Sequence, residues 1–244
     1  MKAILPNTGD KPEFVRRGFE SIADRYDLLN DMMTLGWHRR WKREAVEKLR
    51  LQEGMTLLDL CAGTGDLAYR AARRIGERGR VVALDFAPAM MNAGRKRASV
   101  EFRRRVFWTA GDAGALPFAA DVFDGAVIGF GLRNVVSLET TLREVRRVLK
   151  PAAFLVSLDT AGTEWKALMP IYRWYMARIV PRLGKILAGS EEMYGYLSAS
   201  ATAFHDPKTL CSLFQQCGFR ETGYAYRPRL LGGAALVWGR KGET

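Results

Sequence analysis

Residues 57–66 read Leu57-Leu58-Asp59-Leu60-Cys61-Ala62-Gly63-Thr64-Gly65-Asp66, an apolar run that closes on small residues and then opens a helix. Apolar side chains at nearly every position suit a strand buried on both faces of a parallel sheet. Gly63 and Gly65 let the backbone approach a ligand where any side chain would stand in the way. A second apolar run, Val81 to Leu84, ends on Asp85, 20 residues beyond Gly65. A carboxylate at that place can accept hydrogen bonds from both hydroxyls of a ribose. The two segments together describe a site for a nucleotide-type cofactor.

Outward from this stretch, strands and helices alternate. Strands are expected at about 55–60, 80–85, 105–110, 123–130 and 153–158, with helices at 66–76, 88–99 and 138–149 between them. Pro88 suits a first helical turn, and Pro151 is expected to end a helix. A helix near 207–217 and strands at 219–226 and 233–239 close the chain. Seven strands arranged in this way specify an α/β fold with a doubly wound, mostly parallel sheet, whose ligands bind outside the carboxyl ends of the strands. Asp59, Gly63, Asp85, Asp112 and Gly129 all fall at such ends.

Two segments lie outside the alternation. Before the first strand, Phe14, Phe19, Ile22, Tyr26, Leu29, Met33, Trp37 and Trp41 recur with helical spacing. Residues 1–50 are therefore expected to form a helical cap on a Rossmann-like domain spanning 51–244. Residues 165–187 mix aromatics and aliphatics with Lys166, Arg173, Arg178, Arg182 and Lys185, and Pro170 and Pro181 divide them into at most two short helices. They fall in an expected helical lid insertion at about 162–205. A basic helix bordered by Trp and Tyr suits a membrane surface, or a cap packed on the domain with its charges in water.

The chain has 244 residues, 48% of them hydrophobic, which is enough for one substantial core, and it contains no apolar run long enough to span a bilayer. Its first residues show no basic region followed by an apolar core, so no secretory signal is read. Cys61, Cys211 and Cys217 are odd in number and have no metal-ligand spacing, which points to a reduced, cytoplasmic chain with no metal site. The 38 Lys and Arg against 26 Asp and Glu give a net charge of +12. Such a balance favours an anionic partner, either nucleic acid or a phospholipid surface, without choosing between them.

Gly63 to Ala68 also satisfies the loose dinucleotide pattern, so NAD competes as the cofactor. Three features favour S-adenosylmethionine: helices precede the first strand, a helix and two strands close the chain as in methyltransferases, and strand three is followed by Gly111-Asp112-Ala113. Asp85 would then hold the ribose and Asp112 the adenine amino group, while Thr64 and the loop amides would hold the methionine part. Asp59, Gly63, Gly65, Phe86, Ala113 and Gly129 complete the expected lining.

Tyr26-Asp27-Leu28-Leu29-Asn30, Gly36 to Lys42, Asp59 to Asp66, Asp112 to Phe118, Phe130-Gly131-Leu132-Arg133-Asn134 and Arg147 to Pro151 together resemble the ubiquinone/menaquinone biosynthesis C-methyltransferases, from about residue 14 to the end. The resemblance implies a class I, S-adenosylmethionine-dependent fold with one antiparallel strand. It also implies methyl transfer to a ring carbon of a reduced polyprenyl quinone precursor, demethylmenaquinol to menaquinol. Methylation of a ubiquinone-pathway benzoquinol, or of nucleic acid, is the alternative. No RNA-binding module or basic arm is recognisable, so nucleic acid is not expected.

Such chemistry needs a stabilised phenolate and removal of the ring proton. Arg133 and Asn134 are the first candidates for oxygen stabilisation and water positioning, with Tyr26, Asp27 and Asn30 closing from the cap. His38, the only early side chain titrating near neutrality, reads first as a hydrogen-bonded packing residue. The chain departs from the family in Ala152-Ala153, where two glycines are usual, in Asp159-Thr160-Ala161, where Glu-Phe-Ser is common, and in Gly129, often a serine. The charge and residues 165–187 imply peripheral contact with the anionic inner face of the cell membrane. Whether the chain forms a homodimer is left open by the sequence.

Overall fold

The computed structural model describes Pro6 and residues 9–163, 165–188, 191–229 and 232–243. Its strands are β1 (Thr56–Leu60), β2 (Arg80–Asp85), β3 (Val106–Ala110), β4 (Phe123–Gly129), β5 (Leu149–Thr160), β6 (Phe219–Arg229) and β7 (Gly232–Lys241). They form one sheet in the order β3-β2-β1-β4-β5-β7-β6. Pairing is parallel from β3 through to β5, and β7 runs antiparallel to both β5 and β6. The expected mostly parallel sheet with one reversed strand is the sheet observed.

The helices are α1 (Lys11–Ile22), α2 (Tyr26–Thr34), α3 (Trp37–Lys48), α4 (Asp66–Arg74), α5 (Pro88–Arg97), α6 (Val100–Arg103), α7 (Leu138–Val148), α8 (Met169–Arg178), α9 (Val180–Ala188), α10 (Glu191–Ala203) and α11 (Pro207–Gln216). Successive residues of β1 point to opposite faces, as a strand requires. Leu57 joins a core with Trp41 and Ala45 of α3 and Ala68 and Ala72 of α4. Leu58 joins the other core, with Leu142 and Val145 of α7 and Phe214 of α11. Helices on both faces explain why the strand is apolar throughout.

A third core builds the cap. Val15, Phe19, Ile22 and Leu29 of α1 and α2 pack with Tyr172, Met176, Met193, Tyr194 and Tyr196 of α8 and α10, over Ala87 and Met90 at the start of α5. Within residues 1–50, α3 packs with the sheet, while α1 and α2 pack with the segment around 169–203. Among the described residues no helix is long and apolar enough to cross a membrane.

One strand differs from expectation, and the helices after it gain definite bounds. α7 passes into β5 without a loop, so β5 starts at Leu149 and runs through Pro151. Its ladder shifts register there, pairing Phe123 with Leu149 and then Gly125 with Phe154. The bulge leaves Pro151 free of any need to donate and holds Ala152 at φ 65°. α8 and α9 match the expected two short helices, with Pro170 and Pro181 in their first turns. α10 lies within the range expected for the helical lid insertion, although its Gly, Ser and Ala content blurs the helical period and gave it no bounds, and it buries Met193, Tyr194 and Tyr196.

Candidate active site

The turn after β1 is tight. The amide of Gly65 donates to the Ala62 carbonyl at 2.8 Å, and Cys61, Gly63 and Gly65 all have positive φ, at 53°, 56° and 76°. Glycine takes this conformation without strain at the latter two positions. Asp85 ends β2 beneath the loop. Its two oxygens accept from Gly63 N at 2.7 Å and from Ala87 N at 2.8 Å. Burial pushes its carboxyl up, and the amides of Ala87 and Gly63 oppose that shift. The Phe86 amide also opposes the shift, and the carboxylate keeps acceptor capacity for a ribose hydroxyl.

Asp59 is fully buried near the end of β1, and neither of its carboxylate oxygens has a hydrogen-bond partner among the described residues. Desolvation pushes it up to about 8. The Ala68 amide and the charge of Lys42 oppose that shift without cancelling it. A buried acid without a partner is costly unless a ligand supplies one. Asp112, exposed after β3, accepts from Gly114 N at 2.8 Å through one oxygen, which fixes the other. Ala113 is buried beside it, and Phe86 is half-buried at the foot of the cap. Gly129 serves packing: a Cβ there would stand 2.5 Å from Leu67 Cδ1, so its absence lets β4 approach α4.

These residues fit S-adenosylmethionine. Asp59 would take the ammonium group, Asp85 the ribose, and Asp112 with Phe86 and Ala113 the adenine, along the turn at Gly63; at Gly65 a Cβ would stand 2.7 Å from Trp108, so that glycine serves packing of the turn. Bound there, the cofactor supplies an electrophilic sulfonium methyl group.

Thr64 is held from above. Its hydroxyl donates to Asp27 Oδ1 of α2 at 3.0 Å, and its carbonyl accepts from Arg97 at 2.9 Å. Arg97 also pairs with Asp27. One carboxylate of the cap thus clamps the glycine loop to the end of α5. Thr64 is 2% exposed and its hydroxyl is committed to Asp27.

Arg133 lies in a short 3-10 turn, Leu132–Asn134, just past β4. Its Nη1 donates to Asp159 Oδ1 at 2.7 Å and to the Phe130 carbonyl at 2.6 Å, while its buried Nε has no partner among the described residues. Phe130 has φ 57°, and its carbonyl accepts from Arg133 and from Asn134 Nδ2 at 3.3 Å. Non-glycine residues held in this region are strained, and such strain gathers at functional sites. Burial alone would lower the Arg133 guanidinium, but Asp159 beside it, with Tyr26 and Tyr196 nearby, holds it above its ordinary value.

The cap reaches this turn from two sides. Tyr196 of α10 donates its hydroxyl to Asn134 Oδ1 at 3.1 Å, and burial pushes its phenol up to about 12. It is therefore a donor and not a base near neutrality. Lys11 of α1 donates to the carbonyls of Arg133, at 3.2 Å, and Val135, at 2.8 Å. Tyr26 sits edge-on to Phe19 with ring centres 6.0 Å apart. Asn30 Nδ2 is buried without a partner among the described residues.

His38 is buried, with Nε2 2.8 Å from Asp31 Oδ1, and desolvation, outweighing that partner, pushes it down. It lines an outer cleft of about 370 Å³ with Asp31, Asp66 and Arg97. His205 is exposed before α11. Asp159, Tyr196, Lys11 and Arg97 were not anticipated. Of these only Asp159 had a usable signal, a carboxylate at the end of the strand adjoining β4.

The match to known proteins agrees with this geometry. The model of the ubiE/COQ5 methyltransferase family matches residues 7–241. A demethylmenaquinone methyltransferase of Desulfitobacterium hafniense is 39% identical over 234 residues, 95% of this chain and 91% of that protein. A 2-phytyl-1,4-naphtoquinone methyltransferase of Thermosynechococcus vestitus is 44% identical, covering 90% of this chain and 95% of its own length. A ubiquinone/menaquinone biosynthesis C-methyltransferase of Coxiella burnetii is 41% identical, over 89% and 87%. Among solved structures, a SAM-dependent methyltransferase from Aquifex aeolicus shares the fold at TM-score 0.58 and 18% identity, covering 82% of this chain and 88% of that one. The chain belongs to the ubiE/COQ5 methyltransferase family.

Proposed function

We propose that this enzyme transfers a methyl group from S-adenosylmethionine to a ring carbon of a reduced, polyprenylated naphthoquinol, converting demethylmenaquinol to menaquinol. The observation that carries the reading is the turn at Arg133 and Asn134, buried beneath the cap next to a site suited to the cofactor. An unpartnered Arg133 Nε offers a donor to a quinol oxygen. A fixed cation there favours the phenolate, which pushes electron density onto the adjacent ring carbon. Arg133 keeps its proton, so its work is electrostatic. Asn134, held by Tyr196 and the Phe130 carbonyl, positions the water that accepts the ring proton. The cap excludes bulk water from this step.

The test offers reduced demethylmenaquinone and a ubiquinone-pathway benzoquinol side by side and reads methylated product by mass spectrometry. Methylated naphthoquinol is the expected product. Methylation of the benzoquinol alone would move the assignment to the ubiquinone pathway, as the name of the Coxiella relative allows, and methylation of neither would reopen the nucleic-acid alternative.

The acceptor's tail lies in a bilayer, so a cytoplasmic enzyme must visit the inner membrane face. Ile171 and Trp174 of α8 share one helix face and are 48% and 59% exposed, with Arg173 and Arg178 also exposed on that helix. Leu28 and Leu35 of the α2 region are 60% and 74% exposed. Large apolar side chains beside cations suit shallow insertion among anionic headgroups.

A further inference from the structure

A groove of about 460 Å³ opens beside the Arg133 turn, between that turn, α10 and α11. It falls within the size range of small-ligand sites. Its exposure is graded. Leu132 and Tyr196 are buried at one end with Arg133, whereas Val136 and Ala203 are exposed at the other. Leu138, Phe204 and Leu213 line the wall between. Lys11 also borders the groove, but its ammonium is turned onto the carbonyls of Arg133 and Val135. What it presents to the groove is its methylene stem, as long basic side chains often do.

Glu139, Ser200 and His205 also line the groove, Glu139 and His205 with their side chains exposed, so its polar groups are largely in reach of water. A channel walled by Leu132, Leu138, Phe204 and Leu213 that starts at the residues proposed to hold the reactive ring and opens to solvent has a natural occupant. We propose that this groove is the binding subsite for the first isoprene units of the acceptor's tail. The assignment rests on the quinol methyltransferase reading. It adds that the enzyme grips the acceptor by its tail as well as by its ring. The continuity is structural: Arg133 and Tyr196 line the groove and also belong to the ring site, since the Tyr196 hydroxyl is bonded to Asn134 Oδ1. Only the ring-proximal part of a long tail fits a space of this size, so the rest stays outside the protein. Burial of apolar surface in the groove then adds binding energy remote from the reacting carbon, which can be used to orient the ring.

The test uses the whole protein with reduced naphthoquinols carrying no, one or two isoprene units. In the wild-type protein kcat/KM rises by about tenfold or more on addition of the first unit, the order expected for burying several methylene groups. Val136→Trp and Ala203→Trp, both at solvent-exposed positions that tolerate bulk, fill the groove and cut that gain below threefold. Val136→Asp cuts it as well by placing a charge on the path, whereas Val136→Leu keeps it. Survival of the full gain in either tryptophan variant overturns the assignment. If the wild-type protein turns over only tailed acceptors, the gain from the first to the second unit is read in the same way. A wild-type protein that methylates none of the three overturns the proposed function, and the groove assignment falls with it.

Discussion

Arg133 and Asp159 meet at 2.7 Å, with only 7% and 3% of their side chains exposed, so each neutralises a charge that the protein interior would otherwise reject. The pair joins the ends of two adjacent parallel strands, β4 and β5. Removing one partner leaves an uncompensated buried ion. Asp159→Ala is expected to destabilise the protein by about 3–5 kcal/mol, read by urea denaturation. Arg133→Lys keeps a charge but loses the planar fork. It is expected to lower kcat by roughly 10²–10³, the order seen when a preorganised donor is lost, with cofactor affinity within about twofold by calorimetry. Unchanged turnover in Arg133→Lys would remove Arg133 from the chemistry.

Asp59 gives the protein a stability profile opposite to that of an ordinary paired acid. Its carboxyl is pushed up to about 8 by desolvation, while in the unfolded chain it titrates near its usual value of about 4. Between those values the folded state binds more protons, so the contribution of Asp59 to stability falls as pH rises and levels off above the folded value. Asp59→Asn is expected to match the wild type at pH 5 and to exceed it by about 1–3 kcal/mol above pH 8. The same variant should bind S-adenosylmethionine more weakly, because the partner of its ammonium is gone. Urea denaturation at both pH values and a cofactor titration check the two halves.

The clamp that Asp27 places on Thr64 and Arg97 ties α2 to the cofactor loop. Asp27→Ala is expected to cost about 1–2 kcal/mol of local closure. Amide hydrogen exchange in α2 should then quicken by about tenfold, while the strands at the centre of the sheet stay protected. Equal acceleration in β1 and α2 would show the clamp to be global stability and not a latch.

Ala152 stands at φ 65°, in the bulge entering β5. An L-residue pays for that conformation with crowding of its Cβ, so Ala152→Gly is expected to raise stability by about 1 kcal/mol despite the entropy of glycine in the unfolded chain. A thermal melt with no change in kcat is the expected outcome.

The membrane face has its own measurement. Replacing Ile171 and Trp174 together by Ala is expected to weaken sedimentation with vesicles containing anionic lipid by about tenfold or more at low salt, with activity on a dispersed, short-tailed acceptor retained. Equal binding of the wild type to neutral and anionic vesicles would sink the electrostatic part of the proposal.

The sheet was legible because its signal is local: β1, β2 and β4 carry short apolar runs, Leu57-Leu58, Val81 to Leu84 and Ala126 to Ile128, that lead into Asp59, Asp85 and Gly129. The tight turn at Gly63 and Gly65 was legible for the same reason, whereas Arg133 and Asn134 were singled out by the resemblance of Phe130 to Asn134 to the family. The partners of those residues were not. Asp159 acquires its meaning only when β5 lies against β4, and Tyr196 only when α10 folds over the turn. The Asp27 clamp was half visible, since sequence placed Asp27 in the cap but could not say that Thr64 spends its hydroxyl there. β5 ran longer than expected because a bulge accommodates Pro151, which in an unbroken central strand would forfeit a ladder bond.

Gly18 of α1 lies where any Cβ would press into Met193 of α10, so the helix made first fits against one made almost last. During synthesis the apolar face of α1, with Val15, Phe19 and Ile22, emerges long before its partners exist. Domains fold largely as units as they leave the ribosome, and surfaces left waiting invite association. The cap therefore sets a timing problem as well as a geometric one: α1 waits for the synthesis of about 170 further residues, and the packing of α1 on α10 is complete only after the polypeptide has passed residue 203.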